Sequence, residues 1–193
     1  MPRYVSMLRM LLMKGEKMSA IDDKYFELGG PGGFLGQPID AGAGSAEMDT
    51  ADGRGRVRDF EGGSIYWTPE TGAQEVHGDI RVKWAQVGGE RGFLGFPLTD
   101  ETGTPDGVGR YNHFQGGSIY WTPETGAQEV HGDIRATWAE MGWERSFLRY
   151  PVSDEMNTPD GHGRISRFQG GHISWTPEGG TEVVRSQRID DNP

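Results

Sequence analysis

Two acidic pairs, Asp100-Glu101 and Asp154-Glu155, stand 54 residues apart in matching settings, LTDETGTPDG and VSDEMNTPDG. Paired carboxylates can hydrolyse a glycosidic bond when one stands on each side of it. Neighbours in sequence, repeated in two equivalent loops, do not supply that opposition, and they read as solvated acidic loops. The Asp-Gly-x-Gly-Arg turns at Asp52, Asp106 and Asp160 lack the alternating oxygen ligands of a calcium loop. A local hydrogen bond or ion pair between Asp106 and Arg110 is the simpler reading. Of the five histidines only His77 and His131 share the 54-residue offset, and Arg185 takes the third place. No HExxH, GxSxG or P-loop occurs, and Ser64 and Ser118 fall inside strand patterns. Cysteine is absent, which excludes disulfides, thiolate zinc sites and cysteine nucleophiles. The sequence therefore offers no catalytic set, no metal-ligand set and no cofactor motif. Aromatic faces beside carboxylates suit the binding of a polyhydroxylated ligand. Tyr66, Tyr120 and Trp143 are the aromatics expected at the surface, with Asp100, Glu101, Asp154 and Glu155 as hydrogen-bonding partners.

These residues are positioned by a repeat. GGSIYWTPETGAQEVHGDIR occupies residues 62–81 and recurs unchanged at 116–135, and an altered copy, GGHISWTPEGGTEVV, begins at Gly170. A fixed offset of 54 residues means one structural unit used three times. Each unit opens with a short helix: Ile80, Trp84 and Val87 lie at i, i+4 and i+7, as do Ile134, Trp138 and Met141, and Ile21, Tyr25 and Leu28. Asp79 and Asp133 stand where N-caps stand, and Gly29-Gly30 and Gly88-Gly89 where helices end. A Phe-Leu-Gly-x-Pro loop follows at Phe34 and Phe93, with Arg149 replacing Gly in the third copy. Then come a polar connection, the Asp-Gly turn and three short strands. The first connection is longer, which places a surface loop at Ala41 to Met48.

The expected fold is α+β, mainly β: three αβββ units, about 21–79, 80–133 and 134–185, around one continuous core. The three are expected to close into a compact, pseudo-symmetric, propeller-like ring. Strand alternation puts Ile65 and Trp67 on one face and Ser64 and Tyr66 on the other. Since the third copy has Ser174 in the Tyr position, the Ile/Trp face is expected to be buried and the Tyr face freer. On that reading Trp67, Trp121 and Trp175 are core, and Trp121→Ala costs more stability than Tyr120→Ala.

The chain has 193 residues and a formal net charge of −10, with 32 Gly and 11 Pro at recurring turn positions. An acidic chain without a basic block is a poor match for nucleic acid or anionic membrane. Residues 1–17 are too short and too charged to span a membrane, and they make a poor signal peptide. Lys14-Gly15-Glu16-Lys17 can be encoded by a purine run resembling a bacterial ribosome-binding site. That implies translation from Met18, with residues 1–20 an extension outside the repeats. A genuine N-terminal tail is the alternative. Residues 186–193 form a C-terminal tail.

Gly92 to Pro97, GFLGFP, followed by GRxxxFxGGSIYWTPETGAxxVHGDIxxxW, resembles the LGFP repeat. The resemblance covers residues 21 to about 185. It implies an actinobacterial envelope or secreted protein, often joined to hydrolase or mycolyltransferase domains and thought to hold them to cell-wall polysaccharide such as arabinogalactan. The expected function is therefore a non-catalytic carbohydrate-binding module. The expected partner is cell-wall polysaccharide and the expected location extracellular or cell-envelope; a cytoplasmic or virion-associated place is the alternative for a chain without a clear signal peptide. The rival functions are a structural or assembly protein of an envelope or phage surface, with a homo-oligomer or assembly partner, and, last, a hydrolase.

Overall fold

The computed structural model describes residues 18–39 and 47–186. The N-terminal extension to residue 17, the loop expected from residue 41 as far as residue 46, and the tail beyond residue 186 lie outside them. Met48, placed by the sequence in that loop, begins a strand instead.

Among the described residues three α-helices and three sheets follow one another. They are α1 (Ala20–Glu27) with β1 (Met48–Asp49), β2 (Arg56–Phe60), β3 (Gly63–Thr68) and β4 (Gly72–His77); α2 (Gly78–Gln86) with β5 (Thr102–Gly103), β6 (Arg110–Phe114), β7 (Gly117–Thr122) and β8 (Gly126–His131); and α3 (Gly132–Glu140) with β9 (Met156–Asn157), β10 (Arg164–Phe168), β11 (Gly171–Thr176) and β12 (Gly180–Arg185). Each sheet is a four-stranded antiparallel meander. The expected three strands gain a two-residue strand at one edge. No helix among the described residues is long and apolar enough to cross a membrane.

The repeat residues make these elements for local reasons. Gly29, Gly88 and Gly142 end the helices at φ 98, 106 and 97°, where a side chain would be strained. Asp79 lies within the first turn of α2 and not at its N-cap, which is His77. Asp106 ties its turn by accepting from Thr104 Oγ1 at 2.7 Å and Val108 N at 3.0 Å, whereas Arg110 pairs with Glu101. The Phe-Leu-Gly loop lies tight on the β-hairpin. A Cβ at Gly116 would sit 2.0 Å from the Phe93 carbonyl oxygen, so only glycine fits.

Packing decides which faces are buried. The Ile/Trp face of each sheet covers its own unit's helix, and the opposite face of the first and second sheets covers the next unit's helix. Thus α2 lies between Val76 and Tyr66 of the first sheet and Phe114 and Ile119 of the second. Likewise α3 lies between Tyr120 and Val130 on one side and Phe168 and Ile173 on the other. The apolar core is therefore three clusters, one around each helix, and not one continuous core. The freer Tyr face is corrected too. Tyr120 is 3% exposed, while Tyr66 is half-buried with its ring edge-on to Trp84 at 4.7 Å. Ser174 replaces tyrosine on the face that no helix covers among the described residues. There Val184 is half-buried, whereas its counterparts Val76 and Val130 are fully buried. Hydrogen bonds and ion pairs among the described residues link the first unit to the second and the second to the third. None links the third to the first, so closure into a propeller-like ring has no joining contact among them.

Candidate functional site

The junction between the first two units is a polar network built around a buried carboxylate. Glu75, 1% exposed on β4, takes the backbone N–H of Glu101 on Oε1 at 2.8 Å and His77 Nδ1 on Oε2 at 2.8 Å. Its own N–H donates to Asp100 Oδ1 at 2.9 Å, and Asp100 Oδ2 holds Lys24 Nζ at 2.8 Å. Glu101 reaches back to His77 Nε2 at 3.3 Å and is held by Arg110 Nε. The second junction repeats every link. Glu129 N–H donates to Asp154 Oδ1 at 3.0 Å, Lys83 holds Asp154 Oδ2 at 2.8 Å, and Glu155 N–H donates to Glu129 Oε1 at 2.9 Å. His131 spans Glu129 and Glu155 at 2.8 and 3.2 Å, and Arg164 Nε meets Glu155 at 2.9 Å.

The acidic loops are therefore only partly solvated. They are the parts of the second and third units that clasp the unit before. Burial works against the His77 imidazolium, but the hydrogen bond and charge of Glu75 and the charge of Glu101 prevail and raise its pKa. For His131 the Glu129 hydrogen bond is the largest effect, and again the pKa rises. Burial raises the Glu101 carboxyl against the pull of Arg110 and His77.

Beside each network lies a pocket. The turn from β4 into α2 passes through Gly78 at φ 52°, which sets His77 and Asp79 on either side of it. In the β6–β7 ladder Arg110 is opposite Trp121. Together Asp79, Glu101, Arg110 and Trp121 wall a cavity of about 260 Å³. Asp133, Glu155, Arg164 and Trp175 wall its counterpart of about 210 Å³. In the first, Trp121 Nε1 donates to Asp79 Oδ2 at 2.9 Å. In the second, neither the Trp175 indole nor the Asp133 carboxylate makes a hydrogen bond among the described residues. An indole face, two carboxylates and a guanidinium offer an apolar wall with donors and acceptors at its edge. That combination suits a single sugar ring.

The expected site residues divide. Glu101 and Glu155 line the two pockets, and Asp100 and Asp154 stand in the junctions, one pair at each rather than all four in one groove. Tyr120 is buried against Trp138 at 4.7 Å and Tyr111 at 5.1 Å, so it offers no open ring face. Burial pushes the Tyr66 hydroxyl up to about 12. Trp143 joins the Tyr120 cluster and carries Arg135 over its ring at 5.2 Å. Trp121 and Trp175, read from the sequence as core, are half-buried pocket walls. One signal was legible. Glu and Arg at 47 and 56, 101 and 110, and 155 and 164 occur in all three units, whereas the Glu and His of 75 and 77 and of 129 and 131 become Val183 and Arg185. In the third unit half of the network is therefore replaced. A hydrolytic serine gains nothing from the geometry: Ser118 bonds His113 Nδ1 at 2.7 Å but is 0% exposed.

The family model described as LGFP repeat matches the chain three times, over residues 42–92, 94–146 and 148–191. Its frame starts in the loop after a helix, so the first two matches each contain one sheet and the helix after it, and the third contains the last sheet. No curated protein matches the chain.

Proposed function

The chain belongs to the LGFP repeat family, and from that premise we propose a non-catalytic module that binds bacterial cell-wall polysaccharide of the arabinogalactan type. Its place of work is the cell envelope or the extracellular face. The observation that carries this reading is the duplication of one pocket, with the same four residue types, at two matched junctions. A polymer that repeats can occupy both at once, and two weak sites on one rigid array gain avidity without new contacts. Trp121 and Trp175 supply the stacking faces in this reading. Asp79, Glu101, Asp133 and Glu155 accept from hydroxyls, and Arg110 and Arg164 donate to ring or hydroxyl oxygens. Asp100 and Asp154 hold the loops that carry the glutamates. Sedimentation with purified arabinogalactan tests it. The native chain co-sediments and Trp121→Ala/Trp175→Ala does not; retention of the double variant, or no binding by the native chain, overturns the proposal.

A second reading, a structural or assembly protein, rests on a different observation. Each unit exposes the same two apolar positions: Phe34 and Ile39, Phe93 and Leu98, Phe147 and Val152. Assembly through that surface makes mass in solution rise with concentration, and light scattering reads it directly.

A further inference from the structure

The second junction departs from the first around one cavity, and the departures share a direction. At the first junction, the Arg54 side chain of the first unit reaches across to the second. Its Nε meets Asp52 at 2.5 Å, its Nη2 donates to the Glu90 carbonyl at 3.0 Å, and its guanidinium lies 5.1 Å from the centre of the Phe96 ring. At the second junction the matching residue is Val108, which is exposed and cannot make these contacts. The place is a cavity of about 560 Å³, lined among others by Val108, Glu124, Arg145, Ser146, Arg149 and Tyr150.

Two guanidiniums come from the opposite side: Arg145, which matches Arg91 of the second unit, and Arg149, which is new. Arg149 stands where the second unit has Gly95, and it keeps the left-handed backbone of that glycine, φ 58° against 66°. A side chain is strained there, and strain of this kind collects at working sites. Trp84 Nε1 donates to the Gly95 carbonyl at 3.0 Å, whereas the buried indole N–H of Trp138, its counterpart, has no partner. The third unit thus tolerates a strained arginine and an orphaned donor where its neighbour has neither. Arg145 and Arg149 are exposed and make no side-chain hydrogen bond or ion pair among the described residues. The carboxylates nearby are engaged away from the arginines: Asp106 Oδ1 accepts from Tyr150 Oη at 2.6 Å, and Glu124 Oε2 from Gln169 Nε2 at 2.9 Å, which leaves Glu124 Oε1 without a hydrogen bond among the described residues. Burial raises the pKa of Glu144 and so favours its neutral form.

We infer that this cavity is a second binding site, for a sugar acid: its carboxylate is held by Arg145 and Arg149, and its hydroxyls by Ser146 and Glu124. Guanidinium forks match a planar carboxylate, and the size lies within the usual range of small-ligand pockets. The site shares no lining residue with the two junction pockets, so the two proposals fail separately.

Two substitutions test it by borrowing residues the chain already carries at the matching positions. Val108→Arg restores the Arg54 arrangement and fills the cavity. Arg149→Gly restores the glycine and removes one guanidinium. Digalacturonate is the probe, by titration calorimetry, with its methyl ester as the uncharged control and Trp121→Ala/Trp175→Ala as the junction control. The expected result is binding by the native chain that weakens with salt and falls at least tenfold for the methyl ester and in each single variant. The melting temperature of Arg149→Gly stays level or rises, and the junction control binds digalacturonate as the native chain does. Absence of digalacturonate binding at millimolar concentration, or undiminished binding by Val108→Arg, overturns the inference.

Discussion

Replacing Tyr120 by serine, the residue the third unit uses at the matching position, is the sharpest perturbation of the packing. Tyr120 is 3% exposed, with its ring edge-on to Trp138 at 4.7 Å and stacked on Trp143 at 5.9 Å. Removing a buried aromatic costs roughly 3–5 kcal/mol through lost transfer free energy and the cavity left behind. In a chain of this size that is roughly 6–20 °C of melting temperature, at about 2–4 °C per kcal/mol. Tyr66→Ser, at a half-buried ring, costs about half as much. Ser174→Tyr, on the face that no helix covers among the described residues, stays within about 0.5 kcal/mol of native. Trp121→Ala, at a half-buried pocket wall, costs less than Tyr120→Ser, the reverse of the order expected from the sequence alone. Urea denaturation followed by tryptophan fluorescence ranks the four. A loss below about 1 kcal/mol for Tyr120→Ser, or an equal loss for Ser174→Tyr, would refute the claim that the first two sheets are each buried by the next unit's helix.

Gly116→Ala places a Cβ 2.0 Å from the Phe93 carbonyl oxygen, and the backbone must move; a loss of about 2–4 kcal/mol is expected, against almost none at Gly103, where nothing lies within 4 Å. Asp154→Asn keeps the Glu129 N–H bonded and removes only the charge facing Lys83, so for this 38%-exposed carboxylate a double-mutant cycle with Lys83→Met should return roughly 0.2–1 kcal/mol. The junction histidines set a pH dependence: their folded pKa values are raised, so their stabilisation is fully present below the unfolded imidazole value of about 6.5 and is lost as pH rises through the folded values. The melting-temperature advantage of native chain over His77→Gln/His131→Gln should therefore shrink across that window, and an advantage that grows with pH would reverse the sign of the argument.

Much of the architecture was legible because it is local. The 54-residue offset set the units, and the spacing of Ile80, Trp84 and Val87 set the helix. Glycine-marked turns set the three long strands. What was not legible depends on the neighbouring unit. Ser174 in place of tyrosine looked like evidence of a free face, yet the same face is closed by a helix in two units and open in the third. The short edge strands carry two residues each, too few for an alternation to register. Asp79 and Trp121 are 42 residues apart and meet only because α2 packs on the Ile/Trp face of its own sheet. Glu101 and Glu155 stood out by their acidity, whereas the tryptophans beside them resembled core residues, since a half-buried indole on a strand has the same local pattern as a buried one.

The central claim is that Trp121 and Trp175 face a sugar ring while Trp84 and Trp138 serve the core. The six tryptophans give resolvable indole N–H signals in a nitrogen-15 correlation spectrum. Titrating the labelled chain with arabinogalactan fragments should move the Trp121 and Trp175 signals together, along one binding curve, and leave Trp84 and Trp138 in place. Signals from Trp121 and Trp175 that stay fixed while the polysaccharide binds would contradict the account.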